Sequence, residues 1–138
     1  MGKESAYIEQ SAVIPYRLRD GEIEILLITT RKKKRWIIPK GIVEPHMTPH
    51  ASAAQEALEE AGIIGEVFSE VVGSYTYQKF GGTCRVKVFL LRVDLLQPCW
   101  LEDQDRDRRW FSLSQAIEQV QPVEIQKMLK KLPTRLQV

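Results

Sequence analysis

The chain is predicted to be an α+β domain built on a mixed, mainly antiparallel sheet with few helices. Three observations predict it. β-branched and aromatic runs recur along the sequence, Gly-containing turn pairs separate neighbouring runs, and helical spacing is confined to a few stretches. A length of 138 residues allows one domain with a real core, residues 1–138, and is short for two.

Taken in order, residues 5–18 (SAYIEQSAVIPYRL) look extended, with Pro15 suggesting an edge strand or a bulge. Asp20-Gly21 signals a turn into residues 22–30 (EIEILLITT), so the two runs form a hairpin. A polar connection, RKKKR, follows at residues 31–35, then the short apolar run Trp36-Ile37-Ile38, stopped by Pro39-Lys40-Gly41. After a loop, Thr48 is placed to cap a helix that has Pro49 at its first position. Ala54, Ala57, Leu58 and Ala61 recur at helical spacing as its apolar stripe, and Gly62 suits the residue after its end. Two long strands follow, within residues 65–80 and 84–95, with Gly81-Gly82 as the turn. Trp110-Phe111 is a shorter apolar piece. The Ser112-Leu113-Ser114 stretch caps a helix through Val120, and residues 122–132 form a last amphipathic helix on Val123, Ile125, Met128, Leu129 and Leu132.

Composition is that of a globular protein, 43% hydrophobic and 28% charged, and the net charge of +2 does not argue for bulk nucleic-acid binding. Positive charge is clustered instead, in RKKKR and in RDRR at residues 106–109. Cys84 and Cys99 lack any metal-ligand spacing and read as reduced thiols of a cytoplasmic protein. No apolar run approaches a membrane span, the N-terminal MGKESAYIEQ has no signal-peptide core, and Ala6 stands where a myristoylation motif wants Ser or Thr. His46 and His50 straddle the start of the helix and read as surface residues. Trp100 and Trp110 read as core aromatics, with stacking on an adenine as the alternative.

The helix at residues 49–61 carries the chemistry. Glu56, Glu59 and Glu60 fall on nearly one face, and like charges at that spacing destabilise a helix. Glu59 and Glu60 also lie in the final turn, where the macrodipole favours cations, and no Lys or Arg lies between Met47 and Ser74. A divalent cation relieves both conflicts, and carboxylate oxygens suit Mg²⁺ or Mn²⁺. The plain alternative is a solvated acidic face.

The flanks favour the cation. Residues 41–63, GIVEPHMTPHASAAQEALEEAGI, resemble the Nudix box, G-x5-E-x7-R-E-U-x-E-E-x-G-U with U aliphatic. Gly41, Glu56, Glu59, Glu60, Gly62 and Ile63 fall in register, after a W-x-x-P-K-G lead-in from Trp36 to Gly41. The resemblance implies a Nudix α/β/α sandwich. The R-W-I-I-P lead-in, the C-R-V-K-V-F-L-L strand and the R-D-R-R-W-F stretch resemble the diphosphoinositol polyphosphate and diadenosine polyphosphate hydrolases within that family.

The resemblance implies hydrolysis of a pyrophosphate bond in an anionic phosphorylated small molecule, either a dinucleoside polyphosphate or a diphosphoinositol polyphosphate. Glu56 and Glu60 would ligate Mg²⁺ (or Mn²⁺) with the backbone carbonyl of Gly41, and Glu59 would act as general base, with Glu102 and Asp103 in reserve. Lys34, Arg35, Lys40, Arg85, Arg106 and Arg108 are the expected phosphate grips. Two positions depart from the box: Met47 replaces its early glutamate and Gln55 replaces its arginine. Members of the family pair these two residues to orient the helix, and the loss of both leaves no stranded charge. Two alternatives stand beside this reading. One is a nucleotide-sanitising or RNA 5′-end pyrophosphohydrolase. The other is a weakened domain that binds a nucleotide or inositol phosphate as a sensor.

Overall fold

The computed structural model describes residues 6–138. The expected start of the first strand at Ser5 and the amino-terminal expectations on residues 1–5 lie outside the described residues. Seven strands form one mixed sheet: β1 (Tyr7–Arg19), β2 (Glu22–Thr29), β3 (Trp36–Ile37), β4 (Lys40–Ile42), β5 (Ile63–Lys79), β6 (Gly82–Leu96) and β7 (Arg108–Ser112). The parallel pair is β1 with β6, and the other pairings are antiparallel, as the sequence predicts. Four helices complete the described residues: α1 (Pro49–Ala61), α2 (Leu113–Gln119), α3 (Val123–Lys130) and α4 (Leu132–Leu136).

Strand alternation sorts the core onto two faces. Ala12, Ile14, Tyr16, Ile25 and Leu27 pack with Ala116, Ile125, Leu129 and Leu132 of α2, α3 and α4. Val13, Leu26 and Ile28 point the other way, onto Ala53, Ala57 and Ala61 of α1. The result is a helix–sheet–helix sandwich.

A fork in the sheet positions the site. β1 and β2 pair only from Tyr16↔Ile25 to Arg19↔Glu22. Beyond that they part, and the short β3 and β4 fill the wedge, with Ile37 paired to Ile28 on β2 and Lys40 to Ala12 on β1. This explains Pro15, which is neither on an edge nor at a bulge but inside a central strand, opposite Leu91 of β6. Val13 donates its N–H to Pro39 O on the wedge side at 3.2 Å. Two residues on, Pro15 turns its missing donor toward the same side, where the fork leaves nothing to accept it.

Other boundaries shift for local reasons. Asp20 and Gly21 both take positive φ (52° and 79°), the turn that a two-residue hairpin favours. Lys79 pairs with Gly82, so the second hairpin turns on Phe80-Gly81 (φ 56° and 71°), one residue earlier than Gly81-Gly82. The last helix breaks into α3 and α4 because Pro133 lacks the N–H needed to continue α3. In α1, Thr48 Oγ1 accepts from Ala51 N at 3.2 Å and Gly62 closes the end at φ 67°. Its buried face, however, is Ser52, Ala53, Ala57, Glu60 and Ala61, with Ala54 and Leu58 only half-buried at its border. The helix is rolled so that Glu60 lies inside, which rules out a solvated acidic face for that residue.

Candidate active site

The C-terminal turn of α1 ends beneath the segment between β6 and β7. Glu102 N donates to Glu59 O at 3.1 Å, Trp100 Nε1 to Glu60 O at 2.9 Å and Arg108 Nη1 to Ala61 O at 2.8 Å. Arg108 also donates from Nη2 to Gln97 O at 2.7 Å and stacks on Trp100, 3.9 Å from the ring centre. The cation that the macrodipole calls for is therefore a protein residue, distant in sequence. Trp110 packs with the α1-side core, under Arg17. Neither Trp100 nor Trp110 lines the main cavity.

Glu60 is 7% exposed. Its Oε1 accepts from Lys40 N at 3.1 Å, and Arg106 Nη2 lies 3.8 Å from its Oε2. Burial pushes its carboxyl from 4.5 up to about 8, against the opposing pull of Arg106 and the Lys40 amide. Glu56 is also shifted up, by burial first and by Glu59 second, against the opposing pull of the neighbouring Glu60 carboxyl. Gly41 lies against Glu56: a Cβ there would overlap the carboxylate, 2.6 Å from Oε1. A buried and a half-buried carboxyl with raised pKa values, and a glycine backbone beside them, make a set of hard oxygen donors that fits a divalent cation. Among the described residues no three His, Cys, Asp or Glu side chains converge as a metal cluster, so such an ion would take two carboxylates, a carbonyl and water.

Glu59 accepts from Gln55 Nε2 at 2.7 Å and does not line the cavity. Gln55 thus supplies a neutral donor to the glutamate one turn on. Met47 is 39% exposed. Glu44 lines the cavity with Glu56 and Glu60. Glu102 is bound by Arg106 Nε at 2.8 Å and Arg31 Nη2 at 3.1 Å; burial raises its pKa, but the two arginines together lower it below the ordinary value. Asp103 Oδ2 accepts from Trp100 N at 3.1 Å and closes its own turn.

A cavity of about 1210 Å³ opens beside these carboxyls. By strand alternation Gln10, Lys40, Tyr75 and Tyr77 face away from α1, yet they share this cavity with Glu56 and Glu60, which come from α1. The fork is what lets both sides of the sheet meet. Among the expected phosphate grips, Arg35, Lys40 and Arg106 line the cavity, joined by Arg31, Lys32 and Lys79. Lys40 Nζ donates to Tyr77 Oη at 2.8 Å, and Tyr77 Oη donates to Gln10 Oε1 at 2.7 Å. Burial lowers the Lys40 pKa, with Glu60 pulling the other way. Arg106 gives Nη1 to Thr29 O at 3.0 Å, so its fork is largely taken up by protein acceptors. Lys34, Arg85 and Arg108 do not line the cavity. Lys34 reaches Asp105 O at 3.4 Å, and Arg85 is paired with Glu9 and stacked on Tyr7.

Tyr75, Tyr77, Phe80, Ile42 and Val123 give the same cavity an aromatic and apolar wall. Sequence reasoning does not find this wall. The period-2 spacing of Tyr75 and Tyr77 is its only local signal. Gln121 N donates to Trp36 O at 3.0 Å, which holds the start of α3 over the same opening.

No helix among the described residues is long and apolar enough to cross a membrane. The NUDIX domain profile matches residues 9–132. Nudix hydrolase 21, chloroplastic, of Arabidopsis thaliana is 36% identical over 120 residues, covering 83% of this chain and 60% of that protein. Diphosphoinositol polyphosphate phosphohydrolase 3-alpha of Mus musculus is 35% identical over 103 residues, covering 72% and 62%. The crystal structure of C. elegans Ap4A hydrolase superposes with a TM-score of 0.78 at 25% identity, covering 95% of this chain and 99% of that one. The chain spans about three fifths of the length of such curated relatives. With the profile covering most of its length, the box carboxyls on α1 and the shared sandwich, the chain belongs to the Nudix family.

Proposed function

We propose that the chain is a divalent-cation-dependent pyrophosphohydrolase whose preferred substrate is a dinucleoside polyphosphate. The observation that carries this is the composition of one cavity, whose lining combines the carboxyls of Glu44, Glu56 and Glu60, basic side chains and the aromatic rings of Tyr75, Tyr77 and Phe80. A diphosphoinositol polyphosphate is anionic all round and gains nothing from Tyr75 and Phe80, whereas a nucleobase stacks on such rings.

In this reading Arg31, Lys32, Arg35 and Lys40 hold phosphates outside the scissile bridge, and Arg106 keeps Glu60 and Glu102 in place. Mg²⁺ or Mn²⁺, held by Glu56, Glu60 and the Gly41 carbonyl, would screen the phosphate charge and acidify water. Glu44, which lines the cavity where Glu59 does not, takes the proton of the attacking water as the P–O–P bridge breaks, and the leaving phosphate departs as an anion. Gln55 holds Glu59 and so orients the last turn of α1. The same Gln55 contact speaks against a mere sensor, since the orienting donor is replaced and not lost. Cys84 and Cys99 are free, which supports a reducing compartment such as the cytoplasm, although the first plant relative is named for the chloroplast.

The test is kcat/KM for diadenosine tetraphosphate against a diphosphoinositol polyphosphate, each with Mg²⁺. The expected outcome is a preference of about 10-fold or more for the dinucleotide, the worth of one stacked base. A preference for the inositol substrate would overturn the substrate assignment and leave the pyrophosphohydrolase standing.

A further inference from the structure

Ser11 is fully buried, and among the described residues its Oγ is the one buried side-chain polar atom without a hydrogen-bond partner. Such an atom costs stability unless something satisfies it in the working protein. Its address is informative. Ser11 pairs with Gly41 across β1 and β4. Residues opposite one another on antiparallel strands point to the same face, with their Cβ positions about 5 Å apart. Gly41 has no side chain, and the space its Cβ would take holds the Glu56 carboxylate. The Ser11 hydroxyl and the Glu56 carboxylate are therefore neighbours on the α1 side of the sheet, with Gly41 between them.

The two groups are complementary. Ser11 has an unspent donor. Glu56 has the Glu60 carboxyl as its neighbour, whereas Glu60 has the Lys40 amide and Arg106. No backbone N–H and no basic side chain among the described residues donates to Glu56. Carboxylates that ligate a cation are held by donors behind them, and removal of such a donor weakens the cation without touching a ligand.

We propose that Ser11 is a positioning residue of the cation site, its hydroxyl reserved for the Glu56 carboxylate, directly or through one buried water, when a cation is bound. This rests on the proposed role of Glu56 as a ligand. It also gives a role to a buried hydroxyl that is otherwise without a partner.

The proposal predicts effects of opposite sign from one substitution. Ser11→Ala removes an unsatisfied hydroxyl, so the cation-free protein in EDTA should melt about 3 °C higher. The same variant should bind Mn²⁺, read by electron paramagnetic resonance, about 10-fold more weakly. Ser11→Cys keeps the volume with a weaker donor and should fall between the two in affinity. It also serves if the alanine variant fails to fold. An affinity within twofold of wild type in the folded variant overturns the proposal while leaving Glu56 and Glu60 as ligands. A wild-type protein that binds no Mn²⁺ overturns both.

Discussion

The cavity has two walls built on different terms. The α1 wall is fixed at both ends, by the Thr48 and Gly62 caps and by three donors on the carbonyls of Glu59, Glu60 and Ala61. Its Glu60 carboxyl sits in a layer with little solvent, where a misplaced atom is felt. The β5 wall lies on the outermost strand, with β6 as its one neighbour in the sheet. It ends in a hairpin tip where Phe80 is 62% exposed. Chemistry demands the first kind of wall, because catalytic groups must be held to within a fraction of an ångström. Recognition tolerates the second, because stacking is forgiving in position.

The largest expected effect breaks the fixed wall. Glu60→Gln should lower kcat by about 1000-fold, equivalent to about 4 kcal/mol of transition-state stabilisation, with the fold retained by circular dichroism. Next is Gly41→Ala. The added methyl overlaps Glu56 and must displace it, so kcat should fall by about 100-fold with weaker Mn²⁺ binding. The open wall should respond differently. Phe80→Ala or Tyr75→Ala should raise KM for diadenosine tetraphosphate by about 10-fold with kcat nearly unchanged. Equal losses in kcat from both walls would erase the distinction.

A further effect is on stability. Glu60 is shifted from 4.5 up to about 8 in the folded chain, so the native state binds a proton that the unfolded state releases. Its contribution is fully present below about 4.5 and is lost as pH rises toward about 8. In EDTA, the melting temperature should therefore decline over that interval, and Glu60→Gln should flatten the decline. Saturating Mg²⁺ should do the same in wild type, because the ion takes the place of the proton.

This contrast also marks how far the sequence could be read. The α1 wall lies in one contiguous segment, residues 41–63, where spacing, caps and charge repulsion all point to a cation site. The mixed sheet was equally legible, because alternation and turn pairs are local signals. What escaped is set by tertiary contacts. Arg106 and Arg108 look alike in RDRR, yet one meets Glu60 and Glu102 inside the cavity and the other holds the end of α1. Arg85 reads as a phosphate grip, but Glu9 of the neighbouring strand is its partner. The roll of α1 that buries Glu60 depends on what the helix lies against, and Ala-rich spacing does not specify it. The aromatic wall needs β5, α3 and the Phe80-Gly81 tip together, and no short motif joins them.

The most direct test is hydrolysis of diadenosine tetraphosphate by the purified chain, with products resolved by ion exchange, in Mg²⁺ and again in EDTA. Cleavage in Mg²⁺ that stops in EDTA is the predicted result. Binding of the dinucleotide without cleavage in Mg²⁺, or cleavage indifferent to EDTA, would contradict a cation-dependent pyrophosphohydrolase built on Glu56 and Glu60.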